Sequence, residues 1–99
     1  MARTKQPSDE AFRRAAGLFR AAGDLARLRL LHRLADGELN VTELAEVTRT
    51  KMSTLSQQLR VLFAEHIVDK RRDGKHIYYR LADSHVEALV RAALDHAEH

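Results

Sequence analysis

Three histidines and an aspartate near the C-terminus carry the most specific chemistry in this 99-residue chain. Residues 83–99 read DSHVEALVRAALDHAEH, with the spacing Asp83-x-His85-x10-His96-x2-His99. Val86, Leu89, Val90, Ala93 and Leu94 recur at helical intervals and predict an amphipathic helix with an apolar stripe. At roughly 100° per residue, positions 85, 96 and 99 fall within about 60° of one another on that helix. The rise of about 1.5 Å per residue still separates His85 from His96 by roughly 16 Å. A metal–imidazole bond is only about 2 Å long, so one helix cannot close the set around one ion. A two-fold-related antiparallel copy can, because it brings Asp83 and His85 of one chain beside His96 and His99 of the other. Ala88 and Ala92 lie between the histidines on the same face and permit close approach of the two helices. The spacing thus predicts a homodimer and a metal ligand set together. Three imidazoles and one carboxylate suit tetrahedral zinc, with cobalt its near mimic, and imidazole accepts nickel as readily.

Four protein donors would fill a tetrahedral site, leaving no open position for metal-assisted hydrolysis. The chain has no H-E-x-x-H, no Ser/His/Asp arrangement and no glycine-rich phosphate loop, so an enzyme is not expected. Without cysteine there are neither disulfides nor thiolate sites, which fits a cytoplasmic protein. No apolar run approaches the length of a membrane span, and no signal peptide is visible. The net charge is +3, but its distribution is uneven: +1 over residues 1–48, +5 over 49–80 and −3 over 81–99. A basic middle calls for a polyanion, and an acidic, histidine-rich end for a cation.

The elements that must position these groups are mostly helical. Residues 1–7 form a polar, basic arm, and residues 8–99 a single domain. Ser8 caps a first helix whose stripe is Phe12, Ala15, Ala16, Phe19 and Ala22. Gly23-Asp24 ends it, and Asp24 caps a second helix with Leu25, Leu28, Leu31, Leu34 and Ala35 inward, closing at Gly37. His32 is placed at the edge of the core. Asn40-x-x-Glu43 is a capping box for a short third helix with Leu44 and Val47 inward. A polar turn, Arg49-Thr50-Lys51, separates it from a fourth helix whose buried side is Met52, Leu55, Leu59, Leu62 and Phe63. Residues 41–65 therefore read as a helix-turn-helix.

The outward face of the fourth helix carries Thr50, Ser53, Thr54, Gln57 and Arg60, with Lys51 beside them and no acid before Glu65. Such side chains hydrogen-bond base edges and phosphates, where carboxylates would be repelled. Residues 67–81, IVDKRRDGKHIYYRL, follow as two strands, Ile67-Val68 and residues 77–81, about an Asp73-Gly74 turn. Tyr78 and Tyr79 alternate across the second strand, one to the core and one to a flank. Lys70, Arg71, Arg72 and Lys75 make this hairpin basic, as expected of a wing with its tip on duplex phosphates or in a minor groove. The fold class is mainly α with a small β-hairpin: a winged helix-turn-helix of five helices, homodimeric.

The segments LFRAAGDLARLRLL, TKMSTLSQQLRVL and RRDGKHIYYRL, with the Asp83/His85/His96/His99 set, resemble the ArsR/SmtB family of metal-sensing bacterial transcriptional repressors. The likeness runs from about Phe12 to His99. It implies a dimer on an inverted-repeat DNA operator, released when metal fills two symmetric sites, each with Asp83 and His85 from one chain and His96 and His99 from the other. It also implies a hydrogen bond from His96 to the carbonyl of His66, linking the site to the end of the recognition helix. The family's second metal site uses cysteines in an ELCVC-like segment; here Glu38-Leu39-Asn40-Val41-Thr42 offers none, which excludes thiolate-based sensing. Nickel-responsive members recruit further N-terminal ligands, and Met-Ala-Arg-Thr-Lys supplies no histidine, so zinc is favoured. The alternatives are a nickel-responsive relative, a winged-helix regulator of a non-metal signal, and a winged helix that binds protein alone.

Overall fold

A computed structural model describes residues 6–99. The first five residues of the expected arm lie outside that range; Gln6 and Pro7 are exposed and precede the first helix. The elements run α1 (Asp9–Ala22), α2 (Leu25–Ala35), β1 (Leu39–Asn40), α3 (Val41–Thr48), α4 (Met52–Ala64), β2 (Val68–Asp73), β3 (His76–Leu81) and α5 (Ser84–Glu98). This is the winged helix-turn-helix arrangement, with five helices among the described residues.

Local chemistry sets most of these boundaries. Ser8, Asp24 and Asp83 each accept a hydrogen bond from the backbone N–H three residues on, which satisfies one of the unpaired donors at a helix start. At α3 the capping box is complete: Asn40 Oδ1 accepts from the Glu43 N–H at 2.8 Å, and Glu43 Oε1 accepts from the Asn40 N–H at 2.9 Å. Helices α3 and α4 both end in a left-handed residue, Arg49 (φ 52°) and His66 (φ 60°). At each end the next residue's N–H reaches back five positions, Thr50 to Ala45 and Ile67 to Leu62, forming Schellman closures without glycine.

The sheet is antiparallel in the order β1-β3-β2. In β2–β3 the pairing runs from Val68 opposite Leu81 to Asp73 opposite His76, so both strands are longer than the sequence pattern indicates. The two-residue loop is Gly74-Lys75, one position later than expected, and Gly74 takes the positive φ (63°) that such a loop requires. The two residues of β1 pair with Tyr78 and Tyr79 and anchor the hairpin to the helical body; this strand is too short to have a sequence signature.

The core is built from Leu30, Leu31 and Leu34 of α2, Leu44 of α3, Leu55, Leu59 and Leu62 of α4, Ile67 and Val68, and Val86 and Val90 of α5. Tyr79 packs against it, and burial raises the Tyr79 hydroxyl pKa above its ordinary value. Tyr78 lies on the flank, so the two tyrosines divide as expected.

Several expected core positions face outward instead. On α1, Phe12 and Phe19 are each 62% exposed and Ala15 and Ala16 are exposed, while Gly17 and Ala21 are buried. Gly17 lies against the Glu65 carboxylate just past the end of α4, so the small-residue side of α1 faces inward and its phenylalanines face away. Leu25, in the opening turn of α2, is 64% exposed, and Leu30 takes the core position. Val47, Met52 and Phe63 sit at the margins of their helices' buried arcs and are also exposed; Phe63 instead carries the Lys70 ammonium 4.5 Å from its ring centroid. His32 is exposed rather than at a core edge, and on α5 Ala93 is exposed while Leu89 and Leu94 are half-buried.

Candidate nucleic-acid interface and metal centre

Helix α4 presents its polar side to solvent because Leu55, Leu59 and Leu62 hold the opposite side in the core. Ser53, Gln57 and Arg60 share one exposed stripe, with Thr54 at its margin. Ser56 lies on the same stripe and was missed by the sequence reading; its i+3 spacing from Ser53 was the available signal. Lys51 is exposed and makes no side-chain cap, and the first turn of α4 holds no acid, so its N–H groups face no competing carboxylate there. Thr50 differs from the others. It is half-buried in the turn, and its hydroxyl donates to the Thr48 carbonyl at 3.2 Å.

The wing's cations are not equivalent. Lys75 is exposed in the loop, Arg72 Nε donates to the Gly74 carbonyl at 3.1 Å, and Lys70 rides over Phe63. Arg71 is engaged on several sides. Its Nε and Nη2 donate to the two Glu38 oxygens, each at 2.8 Å, and its guanidinium carbon lies 4.6 Å from the Tyr78 ring centroid. The Arg71 hydrogen bonds hold the Glu38 carboxyl below its ordinary pKa, and Glu38 in turn raises that of Arg71.

On α5, Val86 and Val90 face the core, which turns His85, His96 and His99 to the opposite, exposed side together with Ala88 and Ala92. Asp83 Oδ1 caps Val86 N at 2.9 Å and lies 3.8 Å from His85 Nδ1. His99 Nδ1 is 2.6 Å from the Asp95 carbonyl, which requires that nitrogen to be protonated and leaves Nε2 as the donor atom for a ligand. Among the described residues of one chain, no three His, Asp or Glu side chains converge as a metal site, in keeping with the length of the helix between His85 and His96. The donor set itself fits a borderline cation: exposed imidazoles, plus a carboxylate whose Oδ2 is not the capping atom. His66 lines a cleft with Arg14, Ala15, Leu18 and Glu65, against α1.

Among the described residues, no helix is long and apolar enough to cross a membrane. The fold, with its exposed polar helix and basic hairpin, defines the class, a winged helix-turn-helix domain. The profile of the bacterial regulatory protein, arsR family, matches residues 24–70. The chain is 43% identical over 83 residues to a transcriptional repressor SmtB homolog of Synechocystis sp., covering 84% of this chain and 63% of that protein. It is 39% identical over 98 residues to the HTH-type transcriptional regulator NmtR of Mycobacterium tuberculosis, covering 98% of this chain and 82% of NmtR. In structure it is similar to Mb0332 (fragment 1–100) of Mycobacterium bovis, described as a homodimeric winged helix-turn-helix DNA-binding domain. The TM-score is 0.86 at 30% identity, over 99% of this chain and 91% of that one. The chain belongs to the ArsR family of bacterial regulatory proteins. It spans less than two thirds of the length of the SmtB homolog.

Proposed function

We propose that this chain is a homodimeric, metal-responsive transcriptional repressor that binds an inverted-repeat operator in duplex DNA. The observation that carries the metal reading is the outward face of α5, where Asp83, His85, His96 and His99 flank Ala88 and Ala92 on the side away from the core. A second α5 laid antiparallel on that face completes two equivalent ligand sets. The exposed Phe12 and Phe19 of α1 give the same dimer an apolar contact, since large unpartnered aromatics mark interaction surfaces. Zinc is the favoured ion, with nickel and cobalt the alternatives the donors admit. When bound, the ion supplies a cross-link between subunits, and regulation requires only that the two dimer conformations hold it with different affinity.

DNA is read by Ser53, Ser56, Gln57 and Arg60 on α4, flanked by Thr54, while Lys51, Lys70, Arg72 and Lys75 neutralise phosphates. Thr50 shapes the turn that aims α4. The test is a titration of metal-free protein with cobalt, zinc and nickel while its binding to upstream DNA of its own gene is followed. Tetrahedral cobalt absorption at one ion per subunit, with zinc releasing DNA, supports the reading. Release by nickel alone would keep the site and change the ion. Absence of metal binding at micromolar concentration would leave a winged-helix regulator of another signal.

A further inference from the structure

Glu38 and Arg71 are 33 residues apart in sequence and form a two-pronged ion pair between the α2–β1 turn and the wing. Tyr78, directly opposite Arg71 in the β2–β3 register, closes one face of the guanidinium, and Asp73 lies 3.7 Å from its remaining nitrogen. A phosphate approaching Arg71 therefore meets two carboxylates around one cation. The base of the hairpin is held by Val68, Tyr79 and Leu81 in or against the core, and its backbone pairing with β1 involves two residue pairs. Toward the tip, Arg71 with Glu38 is a further tie to the helical body. A planar guanidinium held at two nitrogens and stacked on a ring resists rotation in a way one flexible lysine contact does not.

We propose that Arg71 is a positioning residue: clamped by Glu38 and Tyr78, it sets the angle of the wing against α3 and α4 and makes no contact with DNA phosphate. The inference rests on the DNA-binding reading above and departs from the expectation, drawn from the charge and place of the hairpin, that all four wing cations contact DNA. It also assigns a role to Glu38, an acid at the root of a DNA-facing hairpin. Glu38 sharpens discrimination between operator and other duplexes by holding Lys75 and Arg72 in one register with α4.

The test is the salt dependence of binding to operator and to mixed-sequence duplex for the parent, Glu38→Gln, Arg71→Met and the double variant. A lost phosphate contact lowers the slope of log K against log salt by about 0.9. The clamp predicts that Arg71→Met keeps the parent slope and that Glu38→Gln, although it removes a negative charge, narrows the operator preference as much as Arg71→Met does. The double variant should be no worse than either single one, because both break one unit. In DNA-free protein, the Arg71 Nε–H should give a slowly exchanging NMR signal that Glu38→Gln abolishes. A slope reduced by about one contact in Arg71→Met, or tighter operator binding by Glu38→Gln, overturns the proposal alone. Fast exchange of the parent Arg71 Nε–H overturns it too. A parent that binds no duplex overturns the DNA-binding reading and the proposal with it.

Discussion

Replacing Phe19 with alanine should break the dimer while leaving the chain folded. Phe19 is 62% exposed in the single chain, so a partner covering it removes about 120 Å² of aromatic surface from water, taking roughly 200 Å² for a whole phenylalanine. At about 25 cal/mol per Å² this is ~3 kcal/mol, of which alanine forfeits about 2. Two-fold symmetry doubles the loss to about 4 kcal/mol, or about a thousandfold in dimer dissociation constant. Side-chain ordering on association reduces the realised figure, so a weakening of at least about thirtyfold is expected. Sedimentation equilibrium across a concentration series measures it directly. Circular dichroism supplies the control, because a side chain that touches so little of its own core should leave helix content unchanged. A Phe19→Ala protein that dimerises like the parent would show that α1 does not form the interface, and the dimer would then rest on α5 alone.

Three further outcomes are expected. His96→Ala should leave the metal-free protein on its operator and abolish or greatly weaken the response to metal; a response equal to the parent's would refute the ligand assignment. Asn40→Ala removes one arm of the α3 capping box and should cost about 1–2 kcal/mol, read as a lower thermal midpoint or urea midpoint. Glu38 has a folded pKa below its ordinary value, so the Glu38–Arg71 clamp contributes fully above that ordinary value and is lost as pH falls through the lowered one. Carboxyl NMR should give Glu38 a depressed midpoint that returns toward the ordinary range in Arg71→Met.

Much of the architecture was legible because its causes are local. A side-chain acceptor three residues before a backbone donor marks a helix start, so Ser8, Asp24, and Asn40 with Glu43 announced three helices in advance. Asp83, read only as a ligand, also caps α5. The polar stripe of α4 and the histidine face of α5 followed from the helical repeat, which needs no knowledge of neighbours. Orientation was another matter. An amphipathic stripe shows that a helix has an apolar side, not whether its own core or a second chain will cover it. On α1 the phenylalanines outweigh Gly17 and Ala21 by hydrophobicity, yet Gly17 and Ala21 take the core side, an orientation the stripe alone does not reveal.

Sequence by itself thus determined most of the elements, the helix-turn-helix with its basic hairpin, and a set of candidate ligands too widely spaced for one helix. Tertiary structure alone decided which cations are free. Arg71 and Lys75 look alike in a string of letters, but one is bound to a glutamate 33 residues away and the other is exposed in the loop. Arg91 likewise ties α5 to the Ala35 carbonyl at the end of α2, across 56 residues. Helix caps act within one turn of chain, whereas an ion pair depends on where the folded backbone brings two distant side chains together.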